Sequence, residues 1–314
     1  MVYLNTVPDQ PHPELDVMVV GEALIDVVTT GSRRVEHPGG SPTNVAYGLA
    51  RLGVTTGLLT VIGPDAWGRR IEEHLTGAGV VVLPGSRSLG RTASATATVR
   101  ADGSAHYDFD ISWDLAPQAP AFFPKILHTG SIATFLDPGA GVVKSLLGQA
   151  NGHCVITYDP NIRPDLLGSH AEAKAIFEDL VAFTDDVKLS DEDAEWLYPG
   201  MSIPEAAAHI LGLGTGLTVI TKGAEGSYLS TPGFDVTVPA VKTNVADTIG
   251  AGDSFMSALI LGLLKRETEG FAPGVLEELG RTAVAAAAIT VQRPGANPPS
   301  LEELNGLLES QRVG

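Results

Sequence analysis

The sequence predicts an α/β fold: a mostly parallel central sheet with helices on both faces, plus a small β-sheet projecting from it. Three observations carry that reading. Short apolar runs alternate with helical segments along most of the chain, and such alternation builds a parallel sheet covered on both faces. Two stretches, Leu24 to Glu36 and Arg91 to Asp110, interrupt it with hairpin patterning. At 314 residues, 44% of them hydrophobic, the chain can bury one large core. Residues 1–314 therefore read as a single domain, with segments of about 24–38 and 90–111 supplying the projecting sheet.

In order, Asp16 to Gly21 is an apolar run ending in glycine, a buried parallel strand with a functional loop just after it. Leu24 to Glu36 turns at Gly31-Ser32. Ser41-Pro42 opens a helix, Ser as N-cap and Pro at the first helical position; Val45, Ala46, Leu49 and Leu52 share its face, and Gly53 ends it. Thr55 to Ile62 is a strand, Asp65 to Leu75 a helix and Val80 to Leu83 a strand. In the second hairpin Thr92, Ser94, Thr96 and Thr98 alternate with small apolar residues before a turn at Ala101-Asp102-Gly103. Strands then fall at Ile126 to His128, Cys154 to Tyr158, Val187 to Leu189 and Leu217 to Thr221, with helices around Gly141 to Gln149, Ala171 to Phe183 and Pro204 to Leu211. The Ala-rich stretch Val284 to Val291 is a short buried helix.

Charge narrows the function. With 20 Lys+Arg against 37 Asp+Glu the chain carries −17 and no basic patch, which disfavours nucleic acid and anionic membrane as partners. No run reaches transmembrane length. Met1 to Asp16 holds Pro8, Pro11 and Pro13 and no apolar core, which is unlike a secretory signal. Cys154 is the only cysteine, so an internal disulfide is excluded. A cytoplasmic location is the expectation.

The stretch with most chemistry in it is Asp247-Thr248-Ile249-Gly250-Ala251-Gly252-Asp253-Ser254-Phe255, which runs into a strongly apolar helix. Gly250, Ala251 and Gly252 thus lie at a helix N-terminus, where free N–H groups and the helix dipole favour an anion and small side chains let a phosphate approach. Asp253, in the first turn, can accept a hydroxyl proton. By itself the segment reads first as a tight turn with two helix-capping acids, and its context shifts that balance.

The pattern Asp-Thr-x-Gly-Ala-Gly-Asp-x-Phe resembles the C-terminal signature of the ribokinase-like (PfkB) carbohydrate kinases, and Gly39-Gly40-Ser41-Pro42-Thr43-Asn44-Val45-Ala46, followed by Gly53 and Gly63, resembles the N-terminal one. The resemblance runs from Val17 to about Pro299. It implies a ribokinase-like fold whose projecting sheet is a lid, and ATP-dependent phosphorylation of a sugar hydroxyl. Asp253 would be the general base and the amides of Gly250, Ala251 and Gly252 the anion hole. Asp26, in the loop after the first strand, and Gly39, Gly40 and Asn44 would bind the sugar. Glycines permit close approach of hydroxyls to backbone, and a carboxylate accepts two hydroxyls at once.

Further segments fit the same resemblance. Thr221-Lys222-Gly223-Ala224-Glu225-Gly226 is similar to the nucleotide segment, which implies Lys222, Gly223, Gly226 and Ser190 beside ATP. Ser190-Asp191-Glu192-Asp193 replaces an Asn-x-x-Glu motif associated with magnesium, and Asp193 would serve Mg2+ through water; the same four residues also read as a helix N-cap. Asp247 and Ile249, with Arg293 to Asn297, resemble a monovalent-cation loop that allows K+, although Pro299 falls where some members place a serine. Asp159-Pro160-Asn161-Ile162-Arg163 resembles a fructokinase and 2-keto-3-deoxygluconate kinase segment; Arg163 would reach a phosphate or a substrate acid group, or else pair with Asp165.

These segments look most like bacterial fructokinases, so the expected reaction is fructose to fructose 6-phosphate, with a 2-keto-3-deoxygluconate kinase or a ribokinase-type kinase as the nearest alternatives. A catalytically idle sugar or nucleotide sensor is the reading from another class. Trp113 is either a sugar-stacking residue or core, and His106 and Tyr107 are lid candidates. A homodimer formed through the lid is expected, because a projecting sheet exposes edges.

Overall fold

The computed structural model describes residues 14–313 except 32, 89, 100–104, 119–121 and 267–269. In chain order, β1 (Val17–Val20) leads into β2 (Leu24–Thr30) and β3 (Arg33–Gly39), followed by α1 (Ser41–Arg51), β4 (Thr56–Leu59), α2 (Ala66–Gly77), β5 (Val81–Val82), β6 (Ala93–Val99) and β7 (Ala105–Asp110). Then come β8 (Ile126–Gly130), α3 (Gly139–Ala150), β9 (Val155–Asp159), α4 (His170–Val181), β10 (Asp186–Ser190), α5 (Asp191–Leu197), α6 (Ile203–Gly212) and β11 (Leu217–Thr221). The chain closes with β12 (Ser227–Ser230), β13 (Asp235–Val238), α7 (Ala251–Lys265), α8 (Pro273–Thr290) and α9 (Leu301–Val313).

The central sheet runs β13-β12-β11-β10-β9-β8-β1-β4-β5 and is parallel from β11 to β5, with β12 and β13 antiparallel at one edge. Because β1 is buried on both faces, its alternate side chains feed two cores. Val17 and Val19 join Val45 and Leu49 of α1, Met256 and Leu259 of α7, and Ala283 of α8. Met18 and Val20 join Leu146 of α3, Phe177 of α4 and Ile210 of α6. The chain leaves β1 toward β4 on one side and β8 on the other. That reversal opens a crevice at the carboxyl ends of the strands, the place where such sheets bind ligands.

The second sheet has the order β3-β2-β6-β7, with β2 and β6 parallel and the other pairs antiparallel. Since β2 starts four residues after β1 ends, this sheet is hung directly on the crevice. Asp65 pins its other entry: Oδ1 caps α2 through the Gly68 N–H at 2.8 Å, while the Thr92 hydroxyl and amide donate to the same carboxylate at 2.8 Å each, just before β6. The expected turn at Ala101 to Gly103, and the side chains of His106 and Tyr107, lie outside the described residues.

Several expectations are corrected. The N-cap of α1 is Gly40, not Ser41, because a backbone at φ 99° turns the chain one residue earlier; the Ser41 hydroxyl is left free for another partner. Asp26 lies within strand β2 rather than in a loop. The strand expected over Thr55 to Ile62 spans only Thr56–Leu59, and the Ala-rich segment is the end of an 18-residue helix. The short polar strands β12 and β13 and the helix α9 carry weak patterning and were not expected. Trp113 is core: it is 3% exposed, donates Nε1–H to the Ala133 carbonyl at 2.9 Å and packs on Gly139. Trp113→Ala should lower stability by about 3–5 kcal/mol in urea denaturation, through the lost volume and the orphaned carbonyl.

Candidate active site

The N-terminus of α7 meets the N-terminus of α1 in the crevice. Asp253 stands in the first turn of α7, accepting the Ser41 hydroxyl at 2.6 Å on Oδ1 and the Asn44 amide at 2.8 Å on Oδ2. Burial raises its pKa, opposed by those two donors and by the charges of Lys188 and Arg163. Gly250 is the N-cap, at φ 75° with Ala296 only 2.7 Å from where a Cβ would sit, so the turn suits glycine alone. Asp247 shapes this loop, accepting the Ile249 amide at 3.0 Å and the Gly295 amide at 2.8 Å. Ile249 itself is exposed.

Gly39 ends β3 directly over the Asp26 carboxylate, and the Gly40 backbone lies on the Glu22 carbonyl, 2.6 Å from where a Cβ would be. Burial and the neighbouring Asp253 charge push Asp26 up to about 6, with Arg163 pulling the other way. Arg163 is thereby placed near both acids; among the described residues it is not paired with Asp165, and its Nη1 donates to the carbonyls of Asn161 and Ile162. Glu22, 3% exposed, accepts the Ala133 amide at 3.2 Å, and burial lifts it to about 8, so it holds its proton at neutral pH.

On the other side of the α7 N-terminus lies a cavity of about 550 Å³. Ala251 and Gly252 line it together with Gly223 and Gly226, the loop after β13 and the inner face of α8. Lys222 and Ser190 do not line it: Lys222 Nζ is 3.4 Å from Glu225, and Ser190 caps α5. Asp193 completes that cap, taking the Ser190 amide at 3.0 Å and the Ile162 amide at 2.9 Å, which fastens the Asp159 to Arg163 segment to β10. Among the described residues no group of three or more His, Cys, Asp or Glu is arranged to hold a metal ion.

Lys188 and Asp159 form a part of the site to which no sequence motif assigns a role. Lys188 Nζ bonds Asp159 Oδ2 at 2.8 Å, with both side chains buried, and comes within 3.2 Å of the Cβ position of Gly252. Burial works against the lysine charge, but Asp159, Asp193 and Asp253 outweigh it and its pKa rises. Asp159 is pushed up by burial to about 6, so both partners are charged at pH 7. Its Oδ1 is buried without a hydrogen-bond partner. The available signal was a lysine between Val187 and Leu189 in a buried strand, a position lysine takes only when paired.

The family model described as pfkB family carbohydrate kinase matches residues 14–304. The chain belongs to the pfkB family of carbohydrate kinases. Within it, the chain is 34% identical over 260 residues to a fructokinase of Rhizobium leguminosarum bv. trifolii, covering 79% of each chain. It is 31% identical over 319 residues to fructokinase-2 of Solanum lycopersicum, covering 93% of this chain and 96% of that one. Its fold matches the crystal structure of a fructokinase with bound ATP from Xylella fastidiosa at a TM-score of 0.83, with 25% identity over 94% of this chain and 98% of that one.

Replacing Lys188 with Met leaves the Asp159 charge buried and alone. The expected loss is about 3–5 kcal/mol in equilibrium unfolding at pH 7, most of it recovered when Asp159→Leu is added.

Proposed function

We propose that this family member is an ATP-dependent fructokinase, transferring the γ-phosphoryl group of ATP to the 6-hydroxyl of D-fructose. The observation that carries the reading is Asp253, held at the α7 N-terminus by two side chains of α1, with Asp26 and the diglycine on one side and the apolar cavity on the other. Fructose lies against Asp26, Gly39, Gly40, Asn44 and Arg163. Asp253 takes the proton of the attacking hydroxyl as its oxygen bonds to the γ-phosphorus; the bond to the β,γ-bridging oxygen breaks and ADP leaves with that electron pair. The amides of Gly250, Ala251 and Gly252 stabilise the charge on the transferring group. Lys222 and Ser190, outside the cavity wall, serve the nucleotide only at its phosphate end.

The donor set suits magnesium: Asp159 offers a buried carboxylate oxygen without a partner, and Asp193 stands next to it. When bound, Mg2+ would neutralise charge on the phosphates. The loop from Asp247 to Ile249, tied to Gly295 through the Asp247 carboxylate, is where K+ would bind. The chain acts as one kinase domain in the cytoplasm, its small sheet serving as a lid that excludes water and as the homodimer contact. The sheet ends in β3 and β7, with no further strand on either edge among the described residues. Among the described residues no helix is long and apolar enough to cross a membrane.

A second reading has its own support. Arg163 is an exposed guanidinium acting on both Asp26 and Asp253, a place where a substrate carboxylate would be held, as in 2-keto-3-deoxygluconate. A coupled assay over fructose, 2-keto-3-deoxygluconate and ribose decides: highest kcat/KM on fructose is expected, and good turnover of the keto acid with none of fructose overturns it. Absence of sugar-dependent ATP consumption would instead indicate a sensor.

The pH dependence follows from Asp26. Its ionised form accepts the sugar hydroxyls, so affinity is full well above pH 6 and is lost as pH falls through about 6. KM for sugar should rise about tenfold per pH unit below about 6, and Asp26→Asn should flatten this profile while raising KM throughout.

A further inference from the structure

The base end of the cavity carries an inference that deepens the kinase reading and rests on it. Its walls are Val284, Ala287 and Ala288 from α8, Val291 just after it, and Val241 and Val245 from the loop after β13. Val245 is 63% exposed at the rim, an apolar side chain in water unless a ring covers it. Among the described residues, the wall includes no carboxylate, carboxamide, imidazole or guanidinium side chain.

The polar side chains that do reach the wall are Thr221, Thr243, Thr248 and Lys242. The Thr221 hydroxyl donates to the Leu189 carbonyl at 3.4 Å, whereas a threonine hydroxyl such as that of Thr243 or Thr248 can rotate to donate or to accept, and so suits the amino group of adenine and the carbonyl of guanine alike. Lys242 is exposed, and a solvated ammonium on a flexible stem imposes no fixed geometry. The stretch from Ala240 to Val245 belongs to no helix or strand.

We infer that the protein selects its phosphoryl donor by the triphosphate and by apolar burial of a purine ring, not by which purine it is, so that GTP and ITP replace ATP. A site built on fixed hydrogen bonds rejects the wrong analogue by roughly 10⁴–10⁵, whereas an apolar slot discriminates only by roughly 10–200-fold. Pyrimidines, burying less ring area, fall behind both purines.

The test measures kcat/KM for ATP, GTP, ITP, UTP and CTP at saturating sugar, and the dissociation constants of the non-hydrolysable imido analogues of ATP and GTP by calorimetry without sugar. Expected are purine values within about tenfold of one another in both measurements. GTP and ITP below about one hundredth of ATP, with a matching gap in the dissociation constants, overturn the inference. If no sugar is turned over with any donor, the kinase reading fails while the calorimetric ratio still decides this one. Lys242→Ala should leave the ATP to GTP ratio within threefold; a shift beyond tenfold would make Lys242 a reader of the base and sink the proposal.

Discussion

The site depends on one contact, the Asp253 carboxylate bridged to Ser41 and Asn44 across two helix N-termini. It fixes the orientation of the carboxylate to within hydrogen-bond geometry, and it ties the turn that would meet a phosphate to the diglycine turn that would meet a sugar. Two helices that start in the same crevice are thereby held in register. The local backbone cooperates: Gly40 and Gly250 each take a positive φ that lets its helix begin where it does. A longer side chain at Ser41 would fill the space between the helices, and a conventional N-cap serine at that position would have turned its hydroxyl away from Asp253.

The cost of that arrangement is an accumulation of acids in a desolvated crevice. Asp26, Asp159 and Asp253 are all raised by burial, and the Asp253 charge adds to the rise at Asp26 and Asp159. Lys188 is the buried countercharge, set on the central strand β10 where the sheet cannot let it move. Adding a polyanion to this pocket without cations would be unfavourable, so the donor set around Asp159 and Asp193 suits a divalent ion arriving with the nucleotide. Charge balance and phosphoryl transfer are in this sense the same problem.

Much of this was legible in the sequence because the fold repeats a simple period. Apolar strands such as Val17 to Val20, and helices whose faces repeat every three to four residues, announced the parallel sheet, and the alternating threonines before Val99 announced the second one. The two signature segments located the α1 and α7 N-termini. What escaped the reading depended on contacts between distant residues. Ser41 looked like a cap because sequence shows its neighbours but not Asp253, 212 positions away. Asp159 and Lys188 are 29 residues apart and pair only because β9 and β10 are adjacent. The strands β12 and β13 are only four residues each, β12 buried between its neighbours and β13 half-exposed at the sheet edge, too short for their alternation to stand out.

The central claim is that Asp253 acts as the proton acceptor and not as a helix cap. Single-turnover phosphoryl transfer in an Asp253→Asn variant, with sugar binding measured separately, tests it most directly. Asparagine preserves size and the Ser41 contact, so binding should stay within a few-fold while the transfer rate falls by about 10²–10⁴. Transfer at the wild-type rate would contradict the account.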